Sequence, residues 1–222
     1  MIALYTYHAT PGKESCGFLN TNDLAKFVSI SVKYSLKHFG RVKLMTNDYG
    51  KQILIEKYKI DFTEVSTELE GINFPEELWA YSKILSYSLQ TESFIHIDLD
   101  CVLWQKPSAK QIKAPMLFQH RESFDVETGY VDLVKAINNT TVSYFCKLAK
   151  VNHAYNCGVV MVNDLEMVKK WKAVVDEFVF NPANSSFWNS QSNKSQFNYL
   201  FEQHFIACLT DKVEFLIGEN ED

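Results

Sequence analysis

Two carboxylates stand one residue apart at the end of an apolar run, in the segment FIHIDLDCVLWQKP at residues 94–107. In an extended segment alternate residues share a face, so we expect Asp98 and Asp100 on one side of the chain. Carboxylates beside a buried strand are costly unless their charge is compensated. Oxygen ligands of this kind suit a hard cation such as Mn²⁺ or Mg²⁺, which shares its other positions with phosphates and water. The spacing therefore predicts a divalent metal site at Asp98 and Asp100.

The residues around this pair leave two questions open. A D-x-D pair also occurs by chance in a solvated turn, and the motif alone does not exclude that alternative. His96 lies on the same face and is a possible third ligand. Its position deeper in the apolar run favours a core histidine with a satisfied hydrogen bond.

The chain around the carboxylates alternates between strand-like and helix-like patterns. Strands separated by helices indicate βαβ units, and hence an α/β fold with a mixed, mostly parallel central sheet flanked by helices. In such sheets ligands bind beyond the carboxyl ends of the strands, which is where Asp98 and Asp100 fall. The predicted strands cover residues 2–8, 42–48, 62–66, 93–100, 114–121, 156–163 and 212–217, and the predicted helices cover 23–38, 50–58, 76–90, 163–180 and 196–209.

Capping residues and irregular segments complete this outline. Asn22 or Asp23 is expected to cap the first helix, with Gly40 after its end, and Asn163 with Glu166 is a candidate capping box. Two stretches show little pattern: 122–150, a candidate flap or acceptor loop, and 181–195, a loop.

Composition restricts the classes of partner. The chain has 222 residues, 46% of them hydrophobic and 14% aromatic, which is enough for one globular domain with a full core. The formal charge is −5 and the basic residues are scattered, which argues against a nucleic-acid or anionic-membrane surface. An anionic ligand would therefore need a metal ion or a few well-placed cations beside it.

The cysteines and the hydropathy pattern bear on location. The five cysteines include no CxxC pair and several lie in apolar runs, which favours free, buried thiols in a reducing compartment. No signal peptide and no apolar window of membrane-spanning length is apparent. The sequence therefore predicts a cytoplasmic protein without a transmembrane segment.

Four segments, in this order and spacing, resemble GT-A glycosyltransferases. FIHIDLDCVLWQKP resembles the D-x-D segment of that family, and WAYSKILSYSL resembles the helix that carries a Lys or Arg ahead of it, here Lys83. YNCGVVMVN resembles the N-x-G strand that follows, and SQFNYLF resembles the later D-Q-x-x-x-N-type helix start. The similarity spans roughly residues 2–217 and is greatest to the retaining, galactosyltransferase-like (family 8) group.

The resemblance implies a single Rossmann-like GT-A domain over residues 1–222, with a nucleotide-binding half at 1–107 and a donor-sugar and acceptor half at 108–222. It implies transfer of a hexosyl group from a nucleotide-diphosphate sugar, with UDP as the expected nucleotide, to a hydroxyl of a glycan or other acceptor. It also implies a role for particular residues: Asp98 and Asp100 on Mn²⁺ (or Mg²⁺), Asp98 also near the ribose, Lys83 and Gln196 as catalytic residues at the donor, Asn156 and Gly158 around the sugar, and Thr6 and Tyr7 beside the base.

The chain departs from the family pattern in two places. Ser195 stands where the family has an acid before Gln196, and the family's late H-x-x-G metal ligand is not found. Either a C-terminal segment has been removed or the metal site has two protein ligands. Two other functions therefore stay open: a phosphohydrolase of the haloacid-dehalogenase type, which also ends a strand in D-x-D, and a non-catalytic relative that binds a sugar nucleotide.

The residues taken by themselves also have ordinary structural interpretations. Lys83 falls opposite Leu85 and Leu89 on its helix, which predicts a solvent-facing lysine. Asn156 and Gly158 fit the start of a strand or a bulge, and Gln196 fits a helix cap. Most nearby aromatic residues are expected in the core, with one or two available to stack on a base or sugar: Tyr5, Tyr7, Trp79, Tyr81, Tyr87 and Trp104.

Overall fold

A seven-stranded mixed sheet forms the centre of the molecule, seen here in a computed structural model that describes residues 1–124, 129–143, 145–146 and 150–217. The strands are β1 (Ile2–Tyr7), β2 (Val42–Thr46), β3 (Glu64–Ser66), β4 (Phe94–Ile97), β5 (Met116–Phe118), β8 (Val159–Val162) and β9 (Val213–Phe215). A separate antiparallel pair consists of β6 (Arg121–Ser123) and β7 (His153–Tyr155).

The sheet has the order β3-β2-β1-β4-β8-β5-β9. Strands β3, β2, β1 and β4 are parallel neighbours, whereas β8 pairs antiparallel with both β4 and β5, and β9 returns parallel to β5. The predicted α/β fold with a mostly parallel sheet is confirmed. The antiparallel β8 brings its amino end to the edge of the sheet where β1 and β4 end.

Helices cover both faces of the sheet. They are α1 (Thr21–Phe39), α2 (Asp48–Lys51) with a π-helical continuation (Gln52–Lys57), α3 (Ala80–Ser88), α4 (Ala109–Ile112), α5 (Gly129–Ala136), α6 (Leu165–Phe180) and α7 (Ser185–Ser190). A further segment, which we call the C-terminal helix, runs through α8 (Phe197–Tyr199), a π-helical stretch (Leu200–His204) and α9 (Phe205–Leu209). None of the helices in the described ranges is long and apolar enough to cross a membrane.

The core is divided by the sheet into two apolar clusters. Along β1 the alternation places Ile2 and Leu4 in one cluster and Ala3, Tyr5 and Tyr7 in the other. Both sets are almost completely buried. A parallel sheet that is covered on both faces requires such continuously apolar strands.

Local capping differs in detail from the prediction. The side chain of Asn20, not that of Asn22 or Asp23, accepts the N–H groups that open α1, and Gly40 ends it in the left-handed conformation at φ 73°. Asp164 caps α6 through the N–H of Met167, so the capping box predicted at Asn163 and Glu166 is wrong. Asn163 is instead used to bind two carbonyl groups before β5.

The two weakly patterned stretches contain more structure than we predicted. The stretch 122–150 includes most of β6, all of α5 and the 3-10 turn Ile137–Asn139, while its residues 125–128, 144 and 147–149 lie outside the described part of the chain. The stretch 181–195 includes the turn Pro182–Asn184 and α7. The side chain of Asn184 is fully buried there and bonds the carbonyls of Glu177 and Phe178.

Candidate functional site

A large cleft opens at the edge of the sheet where β1 and β4 end and β8 begins. Its volume is about 1270 Å³, above the usual range for pockets that hold drug-sized ligands. Thr6 and Tyr7 at the end of β1, Asp98 and Asp100 after β4, and Gly158 before β8 all line it. The position agrees with the rule that α/β sheets bind ligands beyond the carboxyl ends of their strands.

Strand pairing places the first carboxylate against the start of β8. The β4–β8 ladder pairs Ile97 with Val159 and continues one step further, where the N–H of Asp98 donates to the carbonyl of Gly158 at 2.9 Å. Asp98 therefore leaves the sheet beside Gly158. The D-x-D segment (98–100) and the N-x-G segment (156–158), 58 residues apart in the chain, meet at the cleft floor.

Lys83 joins this floor from α3. Its Nζ lies 2.7 Å from Oδ1 of Asp98 and 3.3 Å from the carbonyl oxygen of Cys157, and it also pairs with Oε1 of Glu202. A lysine ammonium has three protons, so these three acceptors account for all of them. Lys83 lines the cleft, yet its charge is directed into the protein.

The prediction that Lys83 faces solvent is wrong. Lys83 is 6% exposed and lies between the buried Ser82 and Ile84, whereas Leu89, which we expected on the apolar face, is 36% exposed. The inward face of α3 is thus rotated relative to the predicted stripe. Tertiary pairing with Glu202 and Asp98 outweighs the cost of burying the lysine.

The three charges perturb one another. Burial disfavours the ammonium of Lys83, but the carboxylates of Asp98 and Glu202 outweigh that effect and hold its pKa well above the usual value. Burial raises the pKa of Asp98 to about 7 against the opposing effect of Lys83, with Glu202 and Asp100 adding to the rise. Burial likewise raises the pKa of Glu202. The carboxylates of Asp98 and Glu202 thus share one ammonium, so a further positive charge beside them would stabilise their ionised forms.

The carboxylates of the D-x-D segment fit a hard cation. The side chain of Asp98 keeps 27% of its surface exposed, Asp100 is exposed, and both border the cleft. The charge of Asp100 raises the pKa of Asp98, so the two repel each other and a cation between them would remove that repulsion. Among the described residues no third His, Cys, Asp or Glu joins them in a metal-binding cluster.

His96 belongs to the core rather than to the predicted metal site. It is 1% exposed, and its Nδ1 lies 3.0 Å from the hydroxyl of Tyr87 and 3.7 Å from Oδ1 of Asp98. Its Nε2 is buried and meets no partner in the described ranges. Burial, with the charge of Lys83, holds the pKa of His96 well below its usual value, so the ring is neutral. The expectation of a core histidine is confirmed.

Asn156 and Gly158 shape the wall next to Asp98. The side chain of Asn156 accepts the N–H of Gly158 at 3.0 Å and donates to Glu122 at 2.7 Å, which holds the turn before β8. A Cβ at position 158 would collide with Oε1 of Gln119 and lie 3.2 Å from Sγ of Cys101. Only glycine leaves this part of the cleft open.

A hydrogen-bonded chain supports that wall from behind. The hydroxyl of Tyr130 in α5 lies 2.7 Å from the second carboxylate oxygen of Glu122 and also contacts Oε1 of Gln203. Gln203 and Glu202 are neighbours in the π-helical stretch of the C-terminal helix and both line the cleft. Such π-helical irregularities often occur at functional sites.

The end of β1 supplies a different kind of surface. Tyr7 is buried and donates its hydroxyl proton to the carbonyl of Glu14 at 2.7 Å, so it supports the loop between β1 and α1. Oγ1 of Thr6 is buried and has no hydrogen-bond partner within the described ranges. An unpaired buried hydroxyl is costly, and a bound polar ligand would satisfy it.

The aromatic residues divide between core and cleft. Tyr5, Tyr7, Tyr81 and Tyr87 are buried, as expected of most of them. Trp79 is 49% exposed and lines the cleft, as does Tyr199 at 52%, so these two rings are available for stacking.

Gln196 is the one predicted site residue that does not border the cleft. It is half-buried and immediately precedes α8, whereas its neighbours Ser195 and Tyr199 do line the cleft. Glu202 is the site residue that we did not predict. Its signal was an acidic residue within the mostly apolar segment YLFEQHFIACL, since a buried carboxylate requires a partner.

Comparison with known proteins identifies a family for the chain but gives no activity. No curated protein matches the chain. The model of a family described as a family of unknown function, DUF6734, matches residues 4–219. This match covers nearly the whole chain, which therefore belongs to the DUF6734 family.

Proposed function

We propose that this protein is a glycosyltransferase that moves a hexosyl group from a nucleotide-diphosphate sugar, with a UDP-sugar as the expected donor, to a hydroxyl of a glycan or other acceptor. The observation that carries the proposal is the position of Asp98. It ends a central strand at the floor of a large cleft and lies beside Gly158, with Asp100 exposed in the same cleft. This geometry brings two of the four matching segments, D-x-D and N-x-G, together at one cleft, which supports the proposal.

The charge of the cleft supports a metal-dependent donor. Among the described residues that line it are five carboxylates and two lysines, and one of those lysines is fully occupied. A diphosphate would be repelled by this surface unless a cation accompanied it. Asp98 and Asp100 would hold Mn²⁺ or Mg²⁺, and the ion would stabilise the negative charge on the departing diphosphate.

The other residues of the site bind and orient the donor in this proposal. The free hydroxyl of Thr6, with Tyr7 and the exposed ring of Trp79, borders the nucleoside. Asn156 and Gly158 form the sugar pocket, with Gln119 next to them. In the reaction the bond from the anomeric carbon to the diphosphate breaks, and the acceptor oxygen forms a bond to that carbon as its hydroxyl loses a proton.

Lys83 and Gln196 have different parts from those implied by the resemblance. Because its protons are all directed to protein acceptors, Lys83 acts as a positioning residue that fixes the carboxylate of Asp98. Gln196 would have to move to reach the donor, since it does not line the cleft here. The stretch 122–150 stays the candidate acceptor loop, although none of its described residues lines the cleft. The five free thiols fit the proposed cytoplasmic location.

A panel of nucleotide sugars tests the proposal. Each is added with Mn²⁺, and the unfolding temperature is measured together with release of the free nucleotide diphosphate. A true donor at 100 times its dissociation constant should stabilise the protein by about 2.7 kcal/mol. Its nucleotide should be released, faster when the acceptor is present. If no nucleotide sugar of the panel binds in the presence of Mn²⁺, the proposal is wrong.

A non-catalytic sugar-nucleotide-binding protein is the second candidate. Two observations favour it: Ser195 stands where GT-A glycosyltransferases have an acidic residue, and the ammonium of Lys83 is already bound to protein acceptors. This alternative predicts metal-dependent binding with no release of nucleotide. A phosphohydrolase is less well supported because three strands precede β4 in the chain. Mg²⁺-dependent hydrolysis of simple phosphate esters without a sugar nucleotide would favour it.

A further inference from the structure

A second group of metal-binding side chains lies away from the cleft. The ligand atoms of Cys146, His204 and Cys208 all lie within 4.8 Å of one another. His204 and Cys208 are one turn apart on the C-terminal helix, with Nε2 of His204 3.3 Å from Sγ of Cys208. Cys146 reaches them from a segment 58 residues earlier in the chain. None of the three borders the cleft.

The histidine is held in the orientation of a metal ligand. Its Nδ1 lies 2.9 Å from the backbone carbonyl of His153 in β7. A carbonyl only accepts hydrogen bonds, so Nδ1 carries the proton and the lone pair of Nε2 is directed toward the thiols. A ligating histidine is usually fixed in this way by a carbonyl or carboxylate behind it.

The surroundings of the cluster are apolar. Cys146 is 6% exposed and His204 1%, and both Cys146 and Cys208 pack within the larger apolar cluster of the core. The ring of Phe124 lies 5.0 Å from that of His204. Cys208 is only half-buried, so a water molecule can reach the cluster and complete a four-coordinate site.

We propose that Cys146, His204 and Cys208 bind one Zn²⁺ ion through two thiolates and Nε2. Two sulfur ligands and one imidazole suit this ion and do not suit Mn²⁺ or Mg²⁺. Around a tetrahedral Zn²⁺ with bonds of about 2.3 Å the sulfur atoms lie about 3.8 Å apart, so the three residues need only small adjustments. This site is independent of the proposed function.

The ion would connect two parts of the fold. The C-terminal helix that carries His204 and Cys208 also carries Glu202 and Gln203, which face the cleft. The ion would link that helix to the segment of Cys146. It would thereby stabilise a wall of the cleft, although the ion itself lies outside the cleft. Zn²⁺ is therefore expected to raise the stability of the whole chain, because the ligands come together only in the folded state.

The test begins with the full chain, freed of metal with a chelator under reducing conditions. Zn²⁺ is titrated in competition with a chromophoric chelator, and Co²⁺ is added in a parallel optical measurement. We expect one Zn²⁺ per chain, a rise in unfolding temperature, and with Co²⁺ the charge-transfer and d–d bands of a tetrahedral thiolate site. Cys146→Ser and Cys208→Ser should each weaken binding by more than an order of magnitude.

Cys16→Ser is the matched control, because Cys16 is exposed and lies outside the cluster. It should bind Zn²⁺ as the wild type does. The proposal is overturned if the wild type binds no stoichiometric Zn²⁺, or if the double variant Cys146→Ser/Cys208→Ser binds it equally well. Should the serine variants fail to fold, the Co²⁺ spectrum of the wild type decides, since absence of thiolate bands overturns the proposal by itself.

Discussion

The ammonium of Lys83 lies 2.7 Å from the carboxylate of Asp98, at the floor of the cleft. The contact joins α3 to the end of β4, two elements that are consecutive in the chain and adjacent in the fold. Glu202 of the C-terminal helix completes the group. The position of the principal predicted metal ligand is therefore fixed by a buried lysine.

Replacing Lys83 by methionine should destabilise the protein. Lys83→Met leaves Asp98 and Glu202 close together without a cation, and removal of one partner from a buried ion pair typically costs about 3–5 kcal/mol. We expect a loss of this size in the free energy of unfolding, measured with urea. Adding Glu202→Gln should recover part of it, because one of the two uncompensated charges is then removed.

Lys33→Met is the matched control for this experiment. Lys33 is exposed in the middle of α1, so its removal should change stability by less than about 0.5 kcal/mol. If Lys83→Met were as stable as Lys33→Met, the buried ion group would not have the importance that we give it.

The raised pKa of Asp98 predicts a dependence of stability on pH. Its pKa is about 7 in the folded state against 3.8 ordinarily, so the folded state binds this proton more tightly. The free energy of unfolding should therefore fall as pH rises from about 4 to about 7, and Asp98→Asn should lack that contribution. Glu202 acts in the same direction and His96 in the opposite one, so the difference between wild type and variant is the quantity to measure.

The same proton affects metal binding. A carboxylate that has lost its proton is the better ligand, so the affinity for Mn²⁺ should increase between about pH 6 and pH 8. Asp211→Asn, a change at an exposed position, should follow the wild type in both measurements. Parallel pH profiles for wild type and Asp98→Asn would contradict the assignment.

Asn198 is expected to be important for the position of Lys83. Its fully buried side chain accepts the N–H of Ala80 at 3.0 Å and donates to the carbonyls of Glu77 and Ser195, each at 2.7 Å. It thereby caps α3, whose own N-cap residue makes no such side-chain bond. Asn198→Ala should cost about 2–3 kcal/mol in unfolding free energy, since buried backbone groups lose their partners.

Asn138→Ala provides the comparison, because Asn138 is exposed in the 3-10 turn after α5. It should leave the urea midpoint nearly unchanged. Equal midpoints for the two variants would mean that α3 does not depend on the distant amide.

Gly158→Ala should separate binding from stability. The new methyl group would displace the end of Gln119, a flexible side chain, so folding should cost only about 1 kcal/mol. It would also fill the wall beside Asp98, and we expect donor affinity to fall about tenfold, equivalent to about 1.4 kcal/mol. Isothermal titration gives the affinity, and urea unfolding gives the stability.

Gly129→Ala is the control for this substitution. Among the described residues a Cβ at Gly129 meets nothing within 4 Å, and Gly129 is the first residue of α5, where alanine is favourable. Binding should be unaffected in this variant. If Gly158→Ala bound the donor with wild-type affinity, the sugar would not occupy this part of the cleft.

The sequence predicted the sheet well because its buried strands are short apolar runs between helical patterns. The same runs located Asp98, since the chemistry changes abruptly where β4 ends. The inward orientation of the Lys83 side chain could not be predicted from the pattern of its helix. Its partners come from the end of β4 and from the C-terminal helix, and Glu202 is 119 residues away in the chain. Helical periodicity assumes an apolar interior and cannot anticipate a buried ion group.

Two other features were not predicted from the sequence, for related reasons. Glu202 and Gln203 lie in a π-helical stretch, which departs from the regular helical period, and both line the cleft. Gln196, just before α8, does not line it. The cluster of Cys146 with His204 and Cys208 has no local motif beyond the four-residue spacing in HFIAC. Its third member is brought in only by tertiary packing.

The most direct test of the proposed function is calorimetric titration of UDP, with and without Mn²⁺, into the wild type and into Asp98→Asn/Asp100→Asn. Asp211→Asn serves as the control. We predict binding to the wild type and the control that requires Mn²⁺, and a loss of that metal-dependent binding in the double variant. Metal-dependent binding of UDP that persists in the double variant would contradict the assignment of these two carboxylates.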